Sequence, residues 1–389
     1  MTYQEPWSKK HKKVTGGTPF SLSNSFAEPL SHEELVRLSL ERGDDQIVAD
    51  FHEHSLVYTP NGGSLDLREE IAGFYGDAIT AENIVVFAGG QAALQTAAIA
   101  LLDNDSHSIV FTPGYQSVLQ APVHAGSQVT QVPLHPEENW QIDPLAVETA
   151  IQSNTRYMVI NEPYNPAGTL MSRQLQQQLK DIAEKNDIYL LSDEAYRLLE
   201  HDAKDRLPPM ADLYARGLSA CTLSKPWGGC GITIGWLALQ DMELRQKLID
   251  TQYFGTACPS RSSEIQAIMT LRASDIILQT RLNIIRRNLA LLDKFFEDYG
   301  DLFEWNRPNA GAIAFVKFKG PLNSDELGYE LAKSGISIKP AYVFTGDYTS
   351  HQDYFRIGYG EELMPKALAA LVNFVEEHKR AWGIPSLAF

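Results

Sequence analysis

The chain has 389 residues, 44% hydrophobic and 21% charged, the balance of an ordinary globular protein with room for a large domain and a smaller one. A formal net charge of −16 argues against nucleic acid as the main partner, because phosphate binding needs a basic surface. No window reaches membrane-spanning length, and Cys221, Cys230 and Cys258 lack metal-ligand spacing, so no membrane, no metal and reduced thiols in a cytoplasmic protein are expected.

Residues 1–30 read as an N-terminal arm rich in Gly, Ser and Pro, and the basic run Lys9 to Lys13, with no apolar signal-type stretch after it, reads as mobile and solvated. Ser31 caps a predicted helix with helical spacing of Leu35, Leu38 and Leu40, and a second predicted helix starts at Ser64 and stops at Gly76. From there apolar strands alternate with helices. Strands ending at Phe87, Phe111, Asn161 and Asp193 are separated by helices from about Gly90, near Gln116, near Leu145 and over Leu175–Ile182. Such alternation predicts a mostly parallel sheet flanked by helices, within an α/β domain placed at 31–298. A long helical run from Met242 to Tyr299 is expected to end it. The remainder, 299–389, mixes short strands and two helices and reads as a smaller α+β domain.

Ligands on open α/β sheets bind beyond the carboxyl ends of the strands. Gly89–Gly90, Tyr115, Asn161–Asn165 and Asp193 all fall at such ends. Lys225, in TLSKPWGG, follows a further predicted strand, SACTLS. A lone lysine there is weak evidence, since most lysines are surface residues. Its weight comes from DEAYR after IYLLS and NEPYNPAG after RYMVI.

Together these motifs resemble the class I/II aminotransferase family, the fold-type-I enzymes that use pyridoxal 5′-phosphate (PLP). The resemblance runs from about Leu30 to the last helix. It implies that Lys225 carries PLP as a Schiff base and then moves the α-proton as general base and acid. Asp193 would pair with the pyridinium nitrogen, keeping the ring an electron sink; a strand-end cap is the alternative, which its neighbours Ala195, Tyr196, Arg197 and Lys225 disfavour. Tyr196 and Asn165 would hydrogen-bond the phenolic oxygen, although Asn165-Pro166 is also an ordinary turn. Tyr115 would stack on the ring, or else belong to the core. Gly90, Gln91 and Ala92, at a helix start, would hold the phosphate through free N–H groups, with the Thr222 hydroxyl beside them. Tyr58 matches a tyrosine that reaches the phosphate in a neighbouring subunit, which implies a homodimer with shared sites. Arg356 would clamp the substrate carboxylate bidentately; a surface ion pair is its alternative.

One position departs from the family pattern. Eight residues after Lys225 the family carries a phosphate-binding arginine, and this chain has Thr233. Weaker PLP retention is expected, unless another cation supplies the charge.

The fold hosts many chemistries, so reaction type must come from the site. Transamination needs only Lys225, the electron sink and an amino acceptor. A second reading is elimination and ring closure on a hydroxylated arginine, since YTPNGGSLDLREEIA and SLSNSFAEPLS also resemble capreomycidine synthase and related cyclases. That chemistry needs carboxylates for a guanidinium and an extra acid/base, for which His52, Glu53, His54, Glu5 and Glu28 are available. The acidic balance makes arginine-like substrates natural first trials. A non-catalytic PLP-binding sensor is the third reading, against which the complete set of site residues stands.

Overall fold

The computed structural model describes residues 5–379 and Trp382. A short strand, β1 (Phe20–Ser21), lies in the arm. It is followed by β2 (Ile84–Phe87), β3 (His107–Thr112), β4 (Gln128–Pro133), β5 (Thr155–Asn161), β6 (Tyr189–Asp193), β7 (Gly217–Thr222) and β8 (Gly235–Leu239). β2 to β8 form a seven-stranded sheet in the order β2-β8-β7-β6-β5-β3-β4. β8 alone runs against its neighbours; the other pairings are parallel.

The sheet is buried on both faces because alternate side chains enter different cores. Ile109 and Phe111 pack with Leu175 and Leu179 on one side, while Val110 packs with Ala97 and Leu119 on the other. Period-two alternation of a strand is thereby satisfied by helices above and below. Truncating the fully buried Leu179 to alanine costs about 2–5 kcal/mol by the usual cavity argument.

A helix over Ser274–Asp298 leads to a second sheet. β9 (Phe303–Trp305), β10 (Ile313–Phe318), β12 (Lys339–Pro340) and β13 (Tyr354–Gly358) pair antiparallel in the order β12-β13-β10-β9. Helices Ser324–Lys333 and Met364–His378 accompany it. Between them β11 (Ile336–Ser337) pairs in parallel with β1 of the arm.

Several expectations change here. The basic run is not a solvated tail. It forms a helix, Ser8–Thr15, with His11 buried and Lys10 paired to Asp325. Leu22 and Ala27 then enter the core of the smaller sheet. The helix from Ser64 ends at Gly73 rather than Gly76. Phe74 turns edge-on to Trp227, and the Gly76 N–H donates to Asp212, so tertiary packing overrides the local pattern. The run from Met242 is three helices, Met242–Tyr253, Arg261–Arg272 and Ser274–Asp298. Pro259 interrupts the first break, and Ser260 caps the next helix through the Ser263 N–H. Among the described residues no helix is long and apolar enough to cross a membrane.

Candidate active site

The carboxyl ends of β3, β5, β6 and β7 open onto a cavity of about 860 Å³. Eleven of the twelve residues singled out from the sequence line it: Gly90, Gln91, Ala92, Tyr115, Asn165, Asp193, Tyr196, Thr222, Lys225, Thr233 and Arg356. Tyr58 does not. It is 92% exposed, on the outside of the chain.

One end of the cavity is an anion cradle. Gly89 takes φ of 95°, a left-handed conformation open to glycine, and turns the chain from β2 into helix Gly90–Leu101. No side chain caps that helix, so its first N–H groups lack intrahelical acceptors and face the cavity. Gln91 and Tyr115 hydrogen-bond each other there. The Thr222 hydroxyl lies 3.1 Å from both Ser224 Oγ and the Ile234 carbonyl. Thr233 itself adopts φ of 57°, an uncommon state for a β-branched residue. Its methyl group would lie 3.5 Å from a side chain placed on Gly89, so it stands beside the cradle.

Lys225 follows β7 and donates to Ser25 Oγ at 3.1 Å. Burial first, then the positive Arg356, pushes its amine down to about 8. Asp193, at the end of β6, accepts from the Ala195 N–H at 3.3 Å. Burial pushes its carboxyl up to about 6, with that N–H and Lys225 pulling the other way. A buried carboxylate of this kind gains from a cationic ring nitrogen, and the lysine is poised to exchange protons near neutral pH.

Tyr196 is buried and its hydroxyl has no well-directed hydrogen bond, although Ser25 stands near it. Burial pushes that phenol up to about 12. Arg356 donates from Nη1 to Asn165 Oδ1 at 2.9 Å and from Nη2 to the Ser23 carbonyl at 3.0 Å. Its Nε is buried without a partner. The Asn165 amide oxygen is thus committed to Arg356, which leaves its NH₂ group to donate. An orphan phenol, an orphan guanidinium nitrogen and an uncapped helix start are the groups a phosphorylated, phenolic ring with a carboxylate-bearing substrate would satisfy, so the residues fit PLP.

Sequence reasoning missed Ser25, Lys12 and Lys339 on the cavity wall. Ser25 and Lys12 come from the arm that was read as solvated. Lys339 sits in a two-residue strand, and its one signal is a lysine amid the apolar run ISIKP. Their charge also reverses an expectation. The chain is acidic overall, yet among the described residues the wall carries Lys12, Lys225, Lys339 and Arg356 against the single carboxylate of Asp193. None of His52, Glu53, His54, Glu5 and Glu28 lines it. His54 is spent on Ser262 at 2.8 Å, Glu28 on the Glu362 N–H, and Glu5 on Lys9.

The whole chain is similar to known proteins. The chain is 27% identical over 370 residues to an aspartate/prephenate aminotransferase of Thermus thermophilus, covering 91% of this chain and 88% of that one. It is 28% identical over 295 residues to capreomycidine synthase of Streptomyces vinaceus, covering 75% and 74%. In fold it is similar to a crystal structure of a PLP-dependent aminotransferase from Streptococcus suis, with a TM-score of 0.90, 24% identity and coverage of 99% and 100%. The family profile described as aminotransferase class I and II matches residues 40–371, and that match makes this chain a member of the family and a PLP-dependent enzyme.

Proposed function

We propose that the chain transfers the amino group of an α-amino acid to a keto acid, with Lys225 moving the α-proton. PLP supplies the electron sink when bound. The chain's own residues do the rest. Arg356 presents its unpaired Nε to the α-carboxylate, which fixes the orientation of Cα. Asn165 and Tyr196 would donate to the phenolic oxygen of the bound cofactor. Asp193 would keep a proton on its ring nitrogen. The amine of Lys225, pushed down to about 8, would take the proton from Cα as general base and give it back as general acid.

The observation that carries this reading over ring closure is the composition of the wall: among the described residues it offers no carboxylate beyond Asp193 to receive a guanidinium. The similarity to capreomycidine synthase is what keeps ring closure as the second reading. Incubating the holoenzyme with single amino acids and no keto acid separates them. Transamination yields keto acid equal to the enzyme present, then stalls until an acceptor is added. Sustained turnover to a product that keeps its amino group overturns the proposal. Borohydride reduction followed by peptide mapping should place the cofactor on Lys225; a label elsewhere removes its assigned role.

The enzyme is also proposed to be a cytoplasmic homodimer. Leu56, Val57 and Tyr58 are 89%, 67% and 92% exposed in succession, a contiguous apolar stretch that a second copy would cover. Tyr58 would then reach the phosphate cradle of the partner.

A further inference from the structure

Lys339 and Arg356 are register partners across the antiparallel pair β12–β13. Residues directly opposite leave the same face of a sheet, with Cβ atoms about 4.5–5.5 Å apart, and like charges so placed destabilise the pairing. Both side chains line the cavity. Lys12 reaches the same wall from the arm helix. Neither Lys339 nor Arg356 pairs with a carboxylate, and Asp325, the acid on the neighbouring helix, is taken by Lys10. The charges acting on Lys339 are those of Arg356, Lys225 and Lys12, all positive, and together with burial they hold its amine well below the usual lysine range. The buried His11 beside them offers no countercharge, since burial and the same two cations keep it neutral, down to about 4.

Charge on the cavity wall can be followed group by group. The cofactor engages Lys225 and Asp193, and its phosphate goes to the cradle at Gly90. The α-carboxylate of a substrate takes Arg356. Lys339 and Lys12 remain, facing the space next to that carboxylate. We propose that Lys339, with Lys12 at the rim, forms an anion subsite beside Arg356, and that the substrate is an amino acid bearing a second anionic group, a side-chain carboxylate or phosphate. The proposal rests on the reading that this cavity takes an α-amino acid; it does not depend on whether the amino group is transferred. A guanidinium side chain is repelled here, and an acidic one relieves the repulsion built into the β12–β13 register.

The test uses holoenzyme with wild-type Lys339 and with Lys339→Ala, Lys339→Gln and Lys339→Arg. Unreactive ligands are titrated against the visible band of the bound cofactor: succinate and 3-phosphonopropionate as dianions, butyrate as the matched monoanion. Binding is read without turnover, so failure of transamination leaves this readout intact. The wild type should bind at least one dianion tenfold or more tightly than butyrate, and which one wins names the second group. Lys339→Ala and Lys339→Gln should reduce that margin by tenfold or more, and Lys339→Arg should keep most of it. Where amino acids react, the ratio of kcat/KM for L-glutamate, L-aspartate or O-phospho-L-serine over L-alanine should fall in parallel. Equal binding of dianions and butyrate by the wild type overturns the proposal. So does a margin untouched by Lys339→Ala, or a preference for L-arginine over every acidic substrate. Loss of cofactor from Lys339→Ala and Lys339→Gln would assign the lysine to the PLP phosphate instead.

Discussion

Ser25 Oγ lies 3.1 Å from Lys225 Nζ, so the arm touches the lysine proposed to move the α-proton. The contact is reinforced one step away, where the Ala27 N–H donates to the Lys225 carbonyl at 3.1 Å. A hydrogen bond to a charged group contributes about 1.5–3 kcal/mol. Ser25→Ala should therefore slow the proton-transfer step by roughly tenfold or more, with cofactor content at the wild-type level. Single-turnover absorbance of the bound cofactor measures the step, and Ser25→Thr should restore most of the rate. A rate unchanged in Ser25→Ala would make the contact structural.

The stability of the cofactor-free protein should depend on pH in two windows. Folding raises the Asp193 carboxyl from 3.8 to about 6, so the folded state holds this proton more tightly. That contribution is complete below about pH 4 and is lost as pH rises to 6. Folding lowers Lys225 from 10.5 to about 8, so the unfolded chain binds more protons between those values and stability climbs with pH there. Each step corresponds to at most about 3 kcal/mol. Urea unfolding of apoprotein across pH should show the acid step shrink in Asp193→Asn and the alkaline step shrink in Lys225→Met. Other buried acids, Glu194 among them, titrate in the same range, so the difference from wild type is the quantity to read.

Thr233 stands beside the proposed phosphate cradle, at the position where the family resemblance implies an arginine. Charge-assisted hydrogen bonds are about twice as strong as neutral ones. Thr233→Arg is expected to slow PLP loss during dialysis by tenfold or more. Equal or faster loss would mean that the phosphate is already compensated by another cation.

Mixed dimers test the proposed sharing of sites. Tyr58→Phe subunits are combined with Lys225→Ala subunits. If Tyr58 serves the partner, the heterodimer keeps one site with both Lys225 and Tyr58 intact, and activity reappears on mixing. If Tyr58 serves its own chain, every site carries one substitution and mixing restores nothing. A monomer in light scattering at working concentration also removes the idea.

The parts of the site at strand ends were legible because the strands were. IVVF, YMVIN and YLLSD announce buried parallel strands, and in such sheets the loops at the carboxyl ends converge whatever their own sequences. Gly90, Tyr115, Asn165, Asp193 and Lys225 could therefore be placed together at strand ends, with the resemblance of their motifs to the aminotransferase family adding their roles. Ser25 and Lys339 had no such announcement. Each reaches the cavity only through long-range docking, the arm by pairing β1 with β11 and Lys339 by the register of β12 on β13. A two-residue strand has too few positions to show alternation. The charge of the cavity was likewise hidden, since net charge sums a surface of many carboxylates while the wall is set by a handful of inward residues.

Gly358 sits at the tightest of these joints. Its N–H donates to the Leu22 carbonyl at 2.7 Å, and a Cβ there would lie 1.7 Å from the Asn24 carbonyl oxygen. A methyl group at position 358 has to push the arm away, and Ser25 is the next residue along. In a saturation screen scored by activity, Gly358 would then register as intolerant as Lys225, 133 positions away in the chain, while touching no reacting atom. A map of intolerant positions drawn for this protein would trace the arm's seam as faithfully as the chemistry.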